Sequence, residues 1–103
     1  MPISNKPWGQ FSESDYTPEQ WVRACLIHLA DDLVKVNHKL PVREPDGTLN
    51  RNGVHAAAAA LAGARGGVDA PPEKKRAAAR ALIRLYRELE EDPPESLRRL
   101  AGG

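Results

Sequence analysis

Cysteine is nearly absent from this 103-residue chain, since Cys25 is its only one. A single cysteine excludes a framework of internal disulfides and fits a reducing compartment. Aromatic side chains are also scarce, at 5% of residues, so a core must come mainly from leucine, isoleucine, valine and alanine. No apolar run approaches the roughly 20 residues of a membrane-spanning helix, and residues 1–16 lack the apolar stretch of a signal peptide. These absences predict a soluble cytoplasmic protein that does not interact with membranes.

An excess of charge of either sign is absent too. The chain has 15 Lys and Arg against 14 Asp and Glu, which gives a formal net charge of +1. No global field therefore draws it toward nucleic acid or a membrane surface, and affinity for a polyanion would need a local patch. The length allows one domain at most.

The first helical signal is the stretch "TPEQ". Thr17 stands at the N-cap, Pro18 at the first helical position and Gln20 at the third, which is a capping-box arrangement. Apolar residues then recur at helical spacing as far as Leu33, so the pattern predicts a first helix over about 18–36. Residues 1–16 are predicted to form an irregular N-terminal arm, and 17–103 a single helical domain.

An extended segment follows, because Pro41 and Pro45 each push the preceding residue out of the helical region. The stretch "EPDG" is typical of a type I turn, with Gly47 at its fourth position. We expect a small hairpin that pairs residues 40–42 with residues 48–49, or an extended loop, between the first and second helices.

Two further helices are predicted, over about 51–65 and 71–91. Asn50 or Asn52 can cap the first of these, and Gly66–Gly67 marks its end. The alanine run 56–60 leaves no bulk, so its helix can approach the next one closely. The fold class is therefore mostly α, with three main helices. The expected helix-packing residues are Ala57, Ala58, Leu61, Ala78 and Leu82.

Basic residues cluster on the predicted third helix. Arg76, Arg80 and Arg84 share one face, and Lys74 and Lys75 lie near its start. Such a face can contact phosphates and makes these five residues the candidate nucleic-acid-binding set. The alternative is an ordinary solvated face, because glutamates four residues away neutralise part of the charge.

Cysteine and histidine could in principle supply a metal site or a nucleophile. Cys25 and His28 are three residues apart, and His38 and His55 follow, but this spacing matches no zinc pattern. A Cys25–His28 nucleophile pair would need Asp31 or Asp32 as its orienting group. We predict no catalytic residue, no metal site and no cofactor.

The pattern "KLP", then "AALAGARGGV", then a Pro-Pro near the end resembles a small module of tailed bacteriophages and prophages. Such modules are found free-standing or beside prohead-protease-like domains. The resemblance implies a non-enzymatic protein that binds another phage protein, in head assembly or maturation, in the host cytoplasm or associated with the virion. The alternative is a small helical nucleic-acid-binding module. The oligomeric state is left open.

Overall fold

The structure is a computed structural model that describes residues 2–63 and 67–102, and this part of the chain is mostly α-helical. Within these residues there are four α-helices, so the expected count of three is wrong. The helices are α1 (Pro18–Ala24), α2 (Arg51–Leu61), α3 (Pro72–Glu88) and α4 (Glu95–Gly102). The strands are β1 (Ile3–Ser4), β2 (Cys25–His28), β3 (His38–Pro41) and β4 (Leu49–Asn50). Strands β1 and β4 pair in parallel, and β2 and β3 pair antiparallel.

Helix α1 begins as predicted, with both capping-box hydrogen bonds. The Gln20 backbone N–H donates to Thr17 Oγ1 at 3.1 Å, and the Thr17 backbone N–H donates to Gln20 Oε1 at 2.8 Å. The predicted extent of 18–36 is wrong, because the helix ends at Ala24 and the chain continues as β2.

The early end of α1 has a tertiary cause. Cys25 and Ile27 are buried while His28 is exposed, so this segment fits a strand period as well as a helical one. The proline-containing segment 38–42 cannot form a helix, and its backbone groups need partners. An extended β2 supplies them, and the Val42 N–H donates to the Ala24 carbonyl at 2.8 Å.

The "EPDG" turn forms, with the Gly47 N–H donating to the Glu44 carbonyl at 2.8 Å. The pairing around it is shifted relative to the prediction. Residues 42–44 face residues 48–50, with Arg43 opposite Leu49, whereas residues 40 and 41 pair with β2 instead. The physical reason is the same as for α1, since β2 is available as a partner for this segment.

The main core lies between α2, α3, α4 and the strands. Ala57 and Ala58 of α2 and Ala78 and Leu82 of α3 are buried in one cluster, and Leu61 packs against it half-buried. Small side chains on both helices leave room for close approach of their backbones.

The predicted end of the second helix near residue 65 is wrong. Helix α2 stops at Leu61, and Gly63 follows with φ +108°, a left-handed conformation that ends a helix and suits glycine. Gly67 also has a positive φ but lies beyond the helix end, and Gly66 is outside the described residues. The predicted bounds 71–91 for the third helix become Pro72–Glu88.

The end of α3 is a Schellman motif. The Glu91 N–H donates to the Tyr86 carbonyl at 2.9 Å, the Glu90 N–H donates to the Arg87 carbonyl at 3.0 Å, and Glu90 takes φ +60°. This turn places Glu91 beside α2.

The N-terminal arm contains β1 and two short 3-10 turns, Trp8–Gln10 and Glu13–Asp15. The Trp8 ring lies directly over Gly53 of α2, where a Cβ would lie 3.0 Å from it. Phe11 packs on a second cluster of buried residues, formed by Tyr16, Trp21, Ala24 and Cys25. The arm therefore contacts both the aromatic cluster and α2.

The side chain of Asn50 joins three parts of this fold. It is fully buried, and its Oδ1 accepts the Gly53 N–H at 2.8 Å, which caps α2. Its Nδ2 donates to the buried Glu44 carboxylate at 2.8 Å and to the Lys6 carbonyl at 3.1 Å. One amide thus holds the helix start, the turn and the arm together.

We expect Asn50→Ala to lower the free energy of unfolding by about 2–4 kcal/mol, because it removes a cap and leaves a buried carboxylate without its donor. Urea unfolding followed by circular dichroism measures this loss. Asn52→Ala is the matched control. Asn52 also donates to the Lys6 carbonyl, but it neither caps α2 nor contacts Glu44, so its loss is expected to stay below about 1 kcal/mol. Equal losses for the two variants would contradict the central role of Asn50.

Candidate functional site

The loop that connects β2 to β3, residues 29–37, carries exposed apolar side chains and is called the apolar loop below. Large apolar residues are expected in the core of a small domain. Here they are in water, and Leu29 and Leu33, which the helical pattern placed on a buried stripe, are 38% and 52% exposed. Val34 and Val36 are 52% and 70% exposed. Four such side chains within eight residues form a patch of the kind that marks interaction sites.

The carboxylate of Asp32 is hydrogen-bonded within the apolar loop. Asp32 accepts the Val34 N–H at 3.0 Å through Oδ1 and the Asn37 side-chain amide at 2.9 Å through Oδ2. The Val34 N–H, the Asn37 amide and nearby His38 hold the pKa of Asp32 below its usual value. Asp32 therefore fixes the turn of the loop in its ionised form.

A second set of bonds fixes the other half of the loop. The Lys35 ammonium donates to the Tyr16 carbonyl at 2.6 Å and to the Glu13 carbonyl at 2.9 Å. The Trp21 indole N–H donates to the Lys35 carbonyl at 3.0 Å and to the His38 carbonyl at 3.2 Å. The loop is thus held by the side chains of Asp32 and Lys35, while its large apolar side chains and Asp31 face solvent.

A histidine pair lies at the base of the loop. His38 is buried, its Nε2 lies 2.9 Å from the Asp32 carbonyl, and its Nδ1 lies 2.7 Å from Nδ1 of His28. Since a carbonyl oxygen only accepts, His38 donates from Nε2, and in neutral form its Nδ1 accepts from His28. Nε2 of His28 is then the basic nitrogen of the pair. The hydrogen bonds between Asp32 and His38 and between His38 and His28 connect the loop to β2.

The histidine pair borders an open cleft of about 510 Å³ that the loop and the start of α3 enclose. Lys74 lines this cleft together with His28 and Asp31. Partial burial, His38 and Lys74 lower the pKa of His28 below its ordinary value of 6.5. Lys74, one of the residues expected to contact nucleic acid, is half-buried at this position.

The considered Cys25–His28 nucleophile pair is not assembled. Residues three apart in a strand point to opposite faces, and Asp32 contacts His38 instead of His28. Burial raises the pKa of the Cys25 thiol to about 12, so almost no thiolate is present at neutral pH. Cys25 is a core residue.

Of the residues considered for metal binding, the structure brings together only His28 and His38. Their Nδ1 atoms are hydrogen-bonded to each other. His55 lies on α2, where its ring stacks on Tyr86 and its Nε2 is 2.7 Å from Glu91. In residues 2–63 and 67–102, no group of three or more cysteine, histidine or carboxylate side chains is arranged to hold a metal ion.

Glu91 connects the end of α3 to α2. It pairs with Arg51 as well as with His55, and Arg51 also donates to the Leu89 carbonyl. The His55 hydrogen bond and the Arg51 charge hold the pKa of Glu91 below its usual value. This cluster is explained by packing, because both carboxylate oxygens of Glu91 bond to side chains of α2.

A second cleft, of about 440 Å³, lies between α1, β2, the turn segment and α3, and is called the arginine cleft below. Four arginines and Glu88 border it, which gives a local charge of +3. Its floor is apolar. The arginines are Arg23, Arg43, Arg84 and Arg87, and the floor consists of Leu26, Val42, Ala81 and Leu85.

The predicted basic set is divided by the structure. Arg84 borders the arginine cleft and Arg80 is exposed on the outer face of α3. Arg76 and Lys75 are half-buried, and Nε of Arg76 has no hydrogen-bond partner among the described residues. Arg23 and Arg43 were not predicted. They lie on separate elements, so no spacing in the sequence could connect them with α3.

No family model, no curated protein and no solved structure matches this chain. The similarity to a phage module therefore remains a prediction. Among the described residues, no helix has the length and apolar character needed to span a bilayer.

The histidine pair predicts acid sensitivity. Because the pKa of His28 is lower in the folded protein than its ordinary 6.5, the unfolded chain binds more protons below that pH. Stability is therefore expected to fall as the pH decreases from about 6.5 through the folded pKa. Urea unfolding between about pH 7.5 and pH 5 measures this slope, and His28→Gln should reduce it. An unchanged slope in the variant would contradict the assignment.

Proposed function

We propose that this protein is a non-enzymatic binding module of a phage or prophage, and that the apolar loop is the surface that contacts its protein partner. The observation that carries the proposal is the exposure of large apolar side chains on a loop whose shape is fixed by hydrogen bonds. Leu33, Val34 and Val36 are in water, while Asp32 is bonded to Val34 within the loop and Lys35 to the Tyr16 carbonyl. A loop with no partner gains nothing from this arrangement, whereas a docking loop is pre-organised by it.

Head assembly or maturation is the setting that the sequence resemblance suggests. Two features support binding over catalysis. Cys25 is buried with a raised pKa, and the histidine pair is engaged in holding the loop to β2. The Cys25 thiol is therefore not a nucleophile at neutral pH, and the Nδ1 atoms of both histidines are occupied by the hydrogen bond between them.

The proposal predicts cross-linking at the loop. A photoactivatable amino acid at position 36, in cells of the organism that carries this sequence, should give discrete adducts on illumination, because Val36 is 70% exposed on the apolar loop. The same probe at position 98, exposed on α4, is the matched control and should give few.

Adding Leu33→Asp and Val34→Asp should abolish the adducts of position 36, since charges in the centre of an interface prevent its desolvation. Circular dichroism checks that the variant is folded. Equal labelling at positions 36 and 98, or adducts that survive both substitutions, would contradict the proposal.

The second candidate function is nucleic-acid binding through Arg76, Arg80 and Arg84 with Lys74 and Lys75. The observation that favours it is the arginine cleft beside Arg84, with its local positive charge. Against it stand the net charge of +1 and the half-buried positions of Arg76, Lys74 and Lys75.

If this second function holds, each arginine that contacts a phosphate should add about 0.9 to the slope of log affinity against log salt. Arg80→Glu with Arg84→Glu should then abolish retention on a DNA column, and Arg98→Glu on α4 should not. Wild-type protein in the flow-through at about 50 mM salt, where electrostatic attraction is weakly screened, would exclude it.

A further inference from the structure

We propose that two copies of this chain form a closed dimer by reciprocal docking, in which the apolar loop of each copy fills the arginine cleft of the other. The inference rests on the proposed function of the apolar loop as a protein-binding surface, and it names the partner as a second copy.

The chemistry of the two surfaces is complementary. The arginine cleft has an apolar floor and a local charge of +3 at its rim. The loop presents "LADDLV", in which Asp31 is exposed between large apolar side chains. Asp32 is already bonded within the loop, so Asp31 is the carboxylate that remains for the cleft. Arginine is the preferred partner for a carboxylate, since its planar fork can bind both oxygens.

The floor of the cleft favours a peptide over a nucleic-acid strand. Proteins that hold single strands usually provide aromatic rings for base stacking, and no aromatic residue is among those lining this cleft. Leucine and valine side chains such as Leu33 and Val34 instead find apolar contacts on Leu26, Ala81 and Leu85. The volume of about 440 Å³ lies within the range of roughly 300–1,000 Å³ that is typical of binding clefts.

The cleft at the loop and the arginine cleft lie on the same side of the molecule, and Leu29 and Asp31 of the apolar loop line the first of them. Leu26 lines the arginine cleft and His28 lines the cleft at the loop, and residues two apart in β2 point to the same face. On α3, Lys74 lines the cleft at the loop and Ala81 lines the arginine cleft. They are seven residues apart, so they also lie on one face of the helix. From Lys74 to Arg84 the helix rises about 15 Å. A twofold axis between the two surfaces therefore brings each loop to the opposite cleft.

The area of a stable interface favours two reciprocal contacts over a single one. A stable interface usually buries roughly 800 Å² on each partner, while the whole chain exposes 6001 Å². A single short loop in a single cleft is small by this standard, whereas the paired arrangement doubles the contact. Because both contacts form at once, the assembly closes as a dimer instead of extending into a filament.

The test uses charge reversal in the full chain, with sedimentation equilibrium as the measurement. Wild type should be a dimer. Asp31→Lys places like charges at both contacts. The double variant Arg84→Glu/Arg87→Glu changes the local charge of the cleft by −4, from +3 to −1, and also places like charges at both contacts. Each variant alone should therefore raise the dissociation constant at least about tenfold. Arg98→Glu, on α4, is the matched control and should leave the dissociation constant unchanged.

Mixing the two variants gives the decisive result. In a mixed dimer, the loop of the Asp31→Lys chain meets the cleft of the Arg84→Glu/Arg87→Glu chain, whose local charge is −1, so opposite charges face each other again at that contact. The other contact joins a wild-type loop to a wild-type cleft. Equal amounts of the two chains should therefore restore dimers that neither forms alone. Circular dichroism of each chain confirms that it is folded before mixing.

A monomeric wild type, a dimer that neither variant weakens, or a mixture that stays monomeric would overturn the proposal. Its failure is separable from that of the proposed function. Adducts at position 36 with twice the mass of the chain support self-docking, and adducts of another mass with a monomeric wild type leave the loop a binding surface for a different protein. Absence of both dimers and adducts contradicts both proposals.

Discussion

The arrangement of this fold depends on the hydrogen bonds of one buried amide, that of Asn50. Its oxygen caps α2, and its nitrogen binds the buried Glu44 and the backbone of the arm at Lys6. Buried polar groups are costly unless each has a partner, so the three segments are compatible in only one relative position. That position aligns β1 with β4 and sets Trp8 on Gly53. A small domain gains specificity from such a polar connection.

The pairing of β2 with β3 then determines which surface is available for binding. Because the chain must return from β2 to β3, the intervening residues form a loop in place of two further helical turns. The apolar stripe that would have been buried by a helix, including Leu29 and Leu33, is left in solvent. The loop keeps its shape because Asp32, Lys35 and Trp21 hold its backbone. Exposure of apolar area is the cost of this topology, and it is also what makes the loop suited to a partner.

The two clefts make the two ends of this surface chemically different. One lies under the loop and contains the histidine pair, and the other is bordered by arginines, with α3 and one face of β2 running between them. An acidic, apolar loop at one end and a cationic, apolar cleft at the other make the face self-complementary. Cys25 takes no part in this surface because it is buried on the other side of β2.

Local signals in the sequence determined several features, namely the Thr17 capping box, the "EPDG" turn and the mostly helical character, because each depends on residues within one or two turns. The end of α1 at Ala24 was decided by tertiary structure. Residues 25–28 satisfy both a helical and a strand period, and only the distant segment 38–41, which needs strand partners, selects between them. The arginine cleft follows from the same cause. Arg23 and Arg43 line the same cleft as Arg84 only after β2 has paired with β3, and no local pattern in the sequence indicates this arrangement.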